Sequence, residues 1–301
     1  MQILRQITGR KIKTNSTFQF LILVLPALAL FTIFMLYPLV DMFRLSLFDW
    51  NGILSQKKFI GLQNFIDLFS NDTFLIAAKN TFIHVAFALP GVIIPAFMLG
   101  FFLSLRPKGY RILRAIFFLP IMISAAALGL IFLIVYSPDG ILNTFLGFVG
   151  LESLQRIWLS NIQTALYAII VVDFWADIGL HSVLLFAACS SISPELIEAA
   201  KIDGATMWKI MWKIAFPMMK DFIGISIVLQ LLWLLLGSAQ TVLLLTKGGP
   251  GTASLTLGYY LYELAFINNR LGMSQAVGVI IFLIGIISLI IVRRFTRQES
   301  N

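Results

Sequence analysis

Charge and cysteine are what this chain has least of. Charged residues make up 12% of its 301 positions, about half of what a soluble domain carries. The solvent for most of the chain is therefore lipid. The one cysteine, Cys189, permits no internal disulfide and no cysteine metal cluster, and reads as a small core hydrophobe. Histidine occurs twice, as His84 and His181 on separate apolar stretches, and no H-E-x-x-H motif is present to hold zinc. Also absent is G-x-x-x-x-G-K-[ST], the loop that cradles nucleotide phosphates. Gly248–Gly251 is glycine-rich but lacks the Lys-Ser/Thr that would have to follow. No serine or cysteine has a recognisable base partner. The chain is expected not to be an enzyme, to bind no metal or cofactor of its own, and, lacking basic-aromatic interleaving, not to bind nucleic acid.

What is there is apolar: 59% hydrophobic residues, 27 of them Phe. Six stretches are long enough to span a bilayer, roughly 20–43, 75–105, 112–136, 163–189, 221–245 and 272–292. The expected fold is an all-α polytopic membrane protein of six transmembrane helices. Its domain, 20–292, lies between an N-terminal segment, 1–19, and a tail, 293–301. The second and fourth stretches exceed a straight span and can tilt. Residues 1–43 start like a signal peptide, but the apolar run exceeds 20 residues and meets Tyr37-Pro38 and Asp41 without a small-x-small cleavage site. It is expected to be a retained first span.

Basic residues orient the spans. Arg5, Arg10, Lys11 and Lys13 precede the first, and Arg106, Lys108, Arg111 and Arg114 link the second to the third. Lys201, Lys209, Lys213 and Lys220 follow the fourth, and Arg293, Arg294 and Arg297 follow the sixth. That is 15 of 22 basic residues on one side, which by the positive-inside rule puts both termini and the 190–217 loop in the cytoplasm. The net charge of +8 then reflects topology and contact with anionic lipid. The outer loops, about 44–74, 137–162 and 246–271, carry turn signals at Asn51-Gly52 and Gly248-Gly249-Pro250-Gly251. Pro90, Gly91 and Pro95 predict a kink or break in span two. Ser274, Gly278, Gly285 and Ser288 form a small-residue stripe suited to close packing of span six.

Residues 198–217, EAAKIDGATMWKIMWKIAFP, form a hydrophilic, small-residue-rich patch. Ser193 can cap a short helix with Pro194 at its first position and Glu195 in its first turn. Asp203 can cap a second. Ala199, Ala200, Gly204 and Ala205 present little side chain, so another protein could approach closely. The pattern E-A-A-x-x-D-G-A followed by Ile214 and Pro217 resembles the coupling loop of the membrane subunits of bacterial binding-protein-dependent ABC importers. Similar to the carbohydrate branch are Leu25-Pro26, Tyr37-Pro38-Leu39, Gly61-Leu62-Gln63-Asn64-Phe65, Asn80-Thr81 and Phe118-Leu119-Pro120. So are Gly140-Ile141-Leu142-Asn143, Trp158-Leu159, Leu245–Gly251 and Tyr260–Phe266. The match resembles the first of two permease subunits in importers of the maltose and glycerol-phosphate type. Met211 and Phe216 depart from the usual Phe and Leu but keep bulk and apolarity.

That resemblance implies a multi-pass permease of the bacterial cytoplasmic membrane, an importer for a sugar or oligosaccharide forming half of the pathway. It implies a second homologous permease, an extracytoplasmic solute-binding protein, and two cytoplasmic ATPase subunits that bind ATP and Mg. Contact with the ATPase would fall to Glu198, Ala199, Ala200, Asp203, Gly204, Ala205, Met211, Ile214 and Pro217.

Polar groups inside a span are costly and usually face a cavity or the bundle interior. Asp173, Asp177 and His181 share one face of span four, at i, i+4 and i+8. Ser226, Gln230, Trp233, Gly237, Gln240 and Thr241 share an arc of span five, and Asn80 and His84 lie one turn apart on span two. Carboxylates and amides beside an aromatic ring suit a sugar, which nominates Asp173, Asp177, Gln230, Trp233 and Gln240 for the pathway. The same groups are compatible with an Asp173–His181 pair that only stabilises packing. They also suit a proton- or ion-coupled carrier relaying through Asp173, Asp177 and His181, or, with no other motif in support, an intramembrane enzyme using the two aspartates.

Overall fold

The computed structural model describes residues 16–52 and 56–296. Arg5, Arg10, Lys11, Lys13 and Arg297, which carry part of the orientation argument, lie outside the described residues. The first span consists of α1 (Ser16–Phe31) and α2 (Tyr37–Leu45), joined by a π-helical turn at Thr32–Leu36. A two-stranded antiparallel hairpin follows, β1 (Phe48–Asp49) on β2 (Lys58–Phe59), and then α3 (Gln63–Phe69). Asn71 caps α4 (Asp72–Ser104) by accepting from the Thr73 and Phe74 amides at 2.8 and 3.3 Å. This 33-residue helix runs through Pro90, Gly91 and Pro95 without interruption; the expected break is absent.

Among the described residues, five helices are long and apolar enough to cross a membrane. A sixth crossing exists if α5 (Tyr110–Phe118) and α6 (Ala125–Val135) are one span, but the two halves meet at 100°. The expected single helix over 112–136 is therefore broken. Pro120 lies in a 3-10 turn at Leu119–Met122, and Ser124 restarts the chain by capping the Ala127 amide at 3.3 Å.

The outer segments are built rather than slack. Residues 137–162 contain α7 (Ile141–Phe148). They close around Asn143, which donates to the carbonyls of Pro138 and Arg156, both at 2.9 Å, and accepts from the Trp158 indole at 2.9 Å. Asn64 likewise donates to the carbonyls of Ser46 and Phe48 at 2.8 and 3.0 Å. These are the motif residues of two segments first noted for resemblance, and their structural task is to satisfy buried carbonyls.

Next come α8 (Ala165–Cys189), α9 (Pro194–Ile202), α10 (Met207–Ile210) and α11 (Phe216–Met218), with a π-helical segment, Met211–Ala215, between the last two. Span five comprises α12 (Lys220–Leu232), a π segment at Trp233–Gly237 and α13 (Ala239–Leu245). Then α14 (Leu257–Tyr262) packs into the core, and α15 (Leu271–Thr296) closes the fold. The segment before α14 is held by Asn80, whose amide donates to the carbonyls of Thr252, Ala253 and Leu255 at 3.0, 3.2 and 3.0 Å. Residues 254–260, within the expected outer loop 246–271, thus tuck into the bundle.

Close approach sets the helix spacing. A Cβ on Gly100 would lie 2.7 Å from the Phe186 backbone nitrogen, and one on Gly179 would lie 2.1 Å from the Phe117 carbonyl oxygen. On span six the stripe is used at Gly278, where a Cβ would meet the Met42 sulfur at 3.0 Å, and less tightly at Gly285, at 3.9 Å from Leu232. Two apolar clusters occupy opposite ends of the bundle. One includes Phe74, Ile169, Val172, Leu245 and Tyr260; the other includes Phe97, Leu185, Cys189, Ile210 and Ile223. Between them on α4, α8 and α12 lie the buried polar residues.

Candidate functional site: a polar cluster beside a cavity, and a two-faced loop

Asp173, Asp177 and His181 do share one face of α8, but their partners come from other helices. Asp173, 2% exposed, has Oδ2 at 2.9 Å from His84 Nε2 on α4 and accepts a hydrogen bond from the Thr241 hydroxyl on α13 at 2.7 Å. The expected Asp173–His181 pair is not formed. Instead His181 lies 2.6 Å from Ser226 Oγ and 2.7 Å from Gln230 Oε1, and the Gln230 amide donates to Asp177 Oδ2 at 2.9 Å. The proton order follows from chemistry. A carboxylate only accepts, so the Gln230 NH₂ faces Asp177 and its oxygen faces His181. His181 then carries its proton on Nε2 and accepts from Ser226 at Nδ1.

This relay edges a cavity of about 360 Å³, within the range of roughly 300–1,000 Å³ typical of ligand sites. Asp173, Asp177, Gln230, Trp233 and Gln240 all line it. The five residues that periodicity grouped share this lining, but their surroundings differ. Gln230, 1% exposed, spends both ends of its amide on His181 and Asp177, and Asp173 accepts from Thr241 at Oδ1 while its Oδ2 lies against His84. Asp177, half-buried, and the exposed Trp233 and Gln240 offer the accessible surface. The π segment beginning at Trp233 carries an extra residue per turn. Gly237 lets the Trp233 ring lie along its own helix, since a Cβ there would be 2.3 Å from the ring. The apolar wall, including Pro120, Ile123 and Leu128, comes from the bend between α5 and α6. Nothing in the hydropathy pattern marked that wall; Pro120 and Ser124 were the available signals.

At the other end, the 190–217 loop divides into two faces. Ser193 accepts from the Leu196 amide at 3.3 Å with Pro194 and Glu195 in the first turn, as expected. Asp203 does not start the second helix. It ends the first, and Thr206 caps the second by accepting from the Lys209 amide at 3.3 Å. Gly204 explains the shift. Its φ of +78° forms a left-handed helix end, in which its amide bonds Lys201 O at 3.0 Å and the Ala205 amide bonds Ala200 O at 2.9 Å. No atom lies within 4 Å of a Cβ built there, so the glycine serves backbone geometry, not packing inside this chain.

Of the nine residues expected at a partner contact, Ala200 and Met211 are buried against their own bundle, and Ala205, Ile214 and Pro217 are half-buried. Glu198, Ala199, Asp203 and Gly204 face outward. Beside them stand two apolar side chains that motif reading passed over, Ile202 and Trp208, 87% and 60% exposed.

Comparison with known proteins fits this architecture. Residues 91–300 match the family described as binding-protein-dependent transport system inner membrane component. The chain is 32% identical over 280 residues, 91% of its length and 94% of the relative's, to the probable ABC transporter permease protein YurN of Bacillus subtilis. It is 28% identical to the multiple sugar-binding transport system permease protein MsmF of Streptococcus mutans, covering 97% and 99% of the two chains. It is also 32% identical to the lactose transport system permease protein LacF of Rhizobium radiobacter, covering 81% and 82%. A solved bacterial ABC transporter involved in importing the acidic polysaccharide alginate superposes with a TM-score of 0.79 at 22% identity over 100% of both chains. The chain belongs to the inner membrane components of binding-protein-dependent transport systems: it is an ABC importer permease.

Proposed function

We propose that the substrate is a sugar or oligosaccharide and that this chain forms half of its pathway through the bacterial cytoplasmic membrane. The observation that carries this is the convergence of Asp177, Trp233 and Gln240 on one cavity, with Gln230 and Asp173 locked behind them. Sugar hydroxyls donate to a carboxylate and an amide, and the C–H face of a sugar ring stacks on indole. The names of relatives handling lactose, multiple sugars and diacetylchitobiose support the class. The other half would come from a second homologous permease. The sugar would arrive on an extracytoplasmic binding protein, as in the alginate transporter solved with its substrate-bound periplasmic protein.

The outward face of the loop, with Glu198, Ala199, Ile202, Asp203, Gly204 and Trp208, is the surface we assign to one of two cytoplasmic ATPase subunits, which bind the ATP and Mg that drive transport. The inward residues Ala200, Ala205, Met211, Ile214 and Pro217 seat it on the bundle. In this orientation both termini are cytoplasmic.

The test is uptake by the reconstituted importer. Asp177→Ala and Gln230→Ala should impair sugar uptake without reducing assembly with the ATPase. Wild-type uptake by both variants would remove the cavity from the pathway. A proton-coupled carrier would instead take up solute along a pH gradient without ATP.

A further inference from the structure

The charge of the cavity narrows the substrate class, an inference resting on the sugar reading above. Among the described residues the ion pairs are Arg44–Asp41 and His84–Asp173, so Asp177 has no cationic partner. Its one hydrogen bond here is from the neutral Gln230 amide to Oδ2, and the residue lines the cavity. None of the described lining residues is Lys or Arg. Arg111 and Arg114 lie on α5, Lys220 starts α12 and Lys247 follows α13, and none of the four lines the cavity. The His181 Nε2 proton, the Thr241 hydroxyl and the Ser226 hydroxyl are committed to Gln230, Asp173 and His181, which leaves the neutral donors of Gln240 and Trp233 to meet a ligand.

We infer that this cavity selects saccharides free of carboxylate, phosphate and sulfate, accepting neutral or amino sugars. A hydroxyl or ammonium satisfies the remaining lone pairs of Asp177, whereas an anionic ligand group sets a second negative charge against it. At about 5 Å and an effective dielectric of about 20, that repulsion gives discrimination on the order of a hundredfold.

The experiment offers cells carrying the complete importer, and cells deleted for this chain, a pooled hydrolysate of starch, chitin, chitosan and pectin. Depletion of each oligosaccharide is followed by mass spectrometry. Chain-dependent depletion should be confined to neutral or amino species, with oligogalacturonates of matched length taken up at least about a hundredfold more slowly. The second arm carries Asp177→Asn, which keeps the shape and removes the charge. The acidic-to-neutral uptake ratio should rise at least tenfold even where total uptake falls. Chain-dependent depletion of oligogalacturonates at the neutral rate overturns the charge selection and leaves the sugar reading standing. An unchanged ratio in Asp177→Asn overturns the assignment of that selection to Asp177. Depletion of no saccharide class by either strain overturns the sugar reading itself and this inference with it.

Discussion

Gly204 separates two reasons for a glycine in the loop between α9 and α10, and substitution can tell them apart. If an ATPase cleft closes on this point, side-chain size should matter, and activity should fall in the order Ala, Asn, Asp. The fold supplies a different reason. With φ at +78° and both helix-end hydrogen bonds in place, at 3.0 and 2.9 Å, an L-residue must sit in the left-handed region, at a cost of about 1–2 kcal/mol for alanine. Asparagine tolerates that region better. Within the chain nothing lies within 4 Å of the added Cβ, so the whole intrinsic penalty is conformational. A penalty of 1–2 kcal/mol lowers the population of the α9–α10 geometry relative to alternatives by about 5- to 30-fold. Substrate-stimulated ATPase of the reconstituted importer reads it. The backbone account expects Gly204→Asn to retain more coupling than Gly204→Ala, although asparagine is larger. Gly204→Ala at wild-type coupling with Gly204→Asn inactive would refute the backbone account and leave docking size as the cause.

Four further outcomes are expected. Asn80→Leu strands the carbonyls of Thr252, Ala253 and Leu255, each lost bond to a buried group costing about 1–3 kcal/mol, and should raise proteolysis or hydrogen exchange across 246–256; unchanged protection would refute the clamp. Gly179→Ala drives a methyl to 2.1 Å from the Phe117 carbonyl, and overpacking of about 1–3 kcal/mol should lower the melting midpoint of the solubilised protein; an unaltered midpoint would show that α5 yields freely. His181→Ala and Gln230→Ala, measured singly and together, should give a non-additive stability of about 0.6 kcal/mol, the usual size of an interhelical bond in a membrane, and strict additivity would mean the relay is not energetically linked. Reporter fusions after Arg10 and after Arg297 should read cytoplasm and one near Gly52 the outside; an external C-terminus would mean a span has been miscounted.

How much of this was legible depended on whether the information was local. Ser193, Pro194 and Glu195 specify a helix start among themselves, and the start is where the sequence puts it. Asp203 and Thr206 are both able caps, and choosing between them required the torsion of the glycine between them. The apolar count anticipated the five helices long enough to cross among the described residues, but not the 100° bend in the third stretch, because an uninterrupted hydropathic run carries no record of direction. Pro90 and Pro95 suggested a kink or a break, and the break is not there, since α4 continues through both. The cavity-lining polar residues were noticed because a polar face inside lipid is anomalous wherever it occurs. Their partners were not, because His84, Ser226, Gln230 and Thr241 reach Asp173, Asp177 and His181 across sequence separations that no helical period encodes.

The loop and the cavity are joined by more than chain order. α8 runs directly into α9, and α11 into α12, so the two helices entering and leaving the loop are the two that the His181–Gln230–Asp177 relay ties together. At the loop end the same pair is held by a shared apolar cluster in which Cys189 and Ile192 from the α8 side meet Ala200, Ile210, Met211 and Ala215 of the loop and Ile223 of α12. A small residue at Ala200 is what lets α9 lie this close to the bundle. α8, the loop and α12 are thus fastened at both ends, once by apolar packing and once by hydrogen bonds. On this geometry the inward half of the loop packs against the helices that hold Asp177 and Gln230, and the outward half, with Ile202 and Trp208, stays exposed.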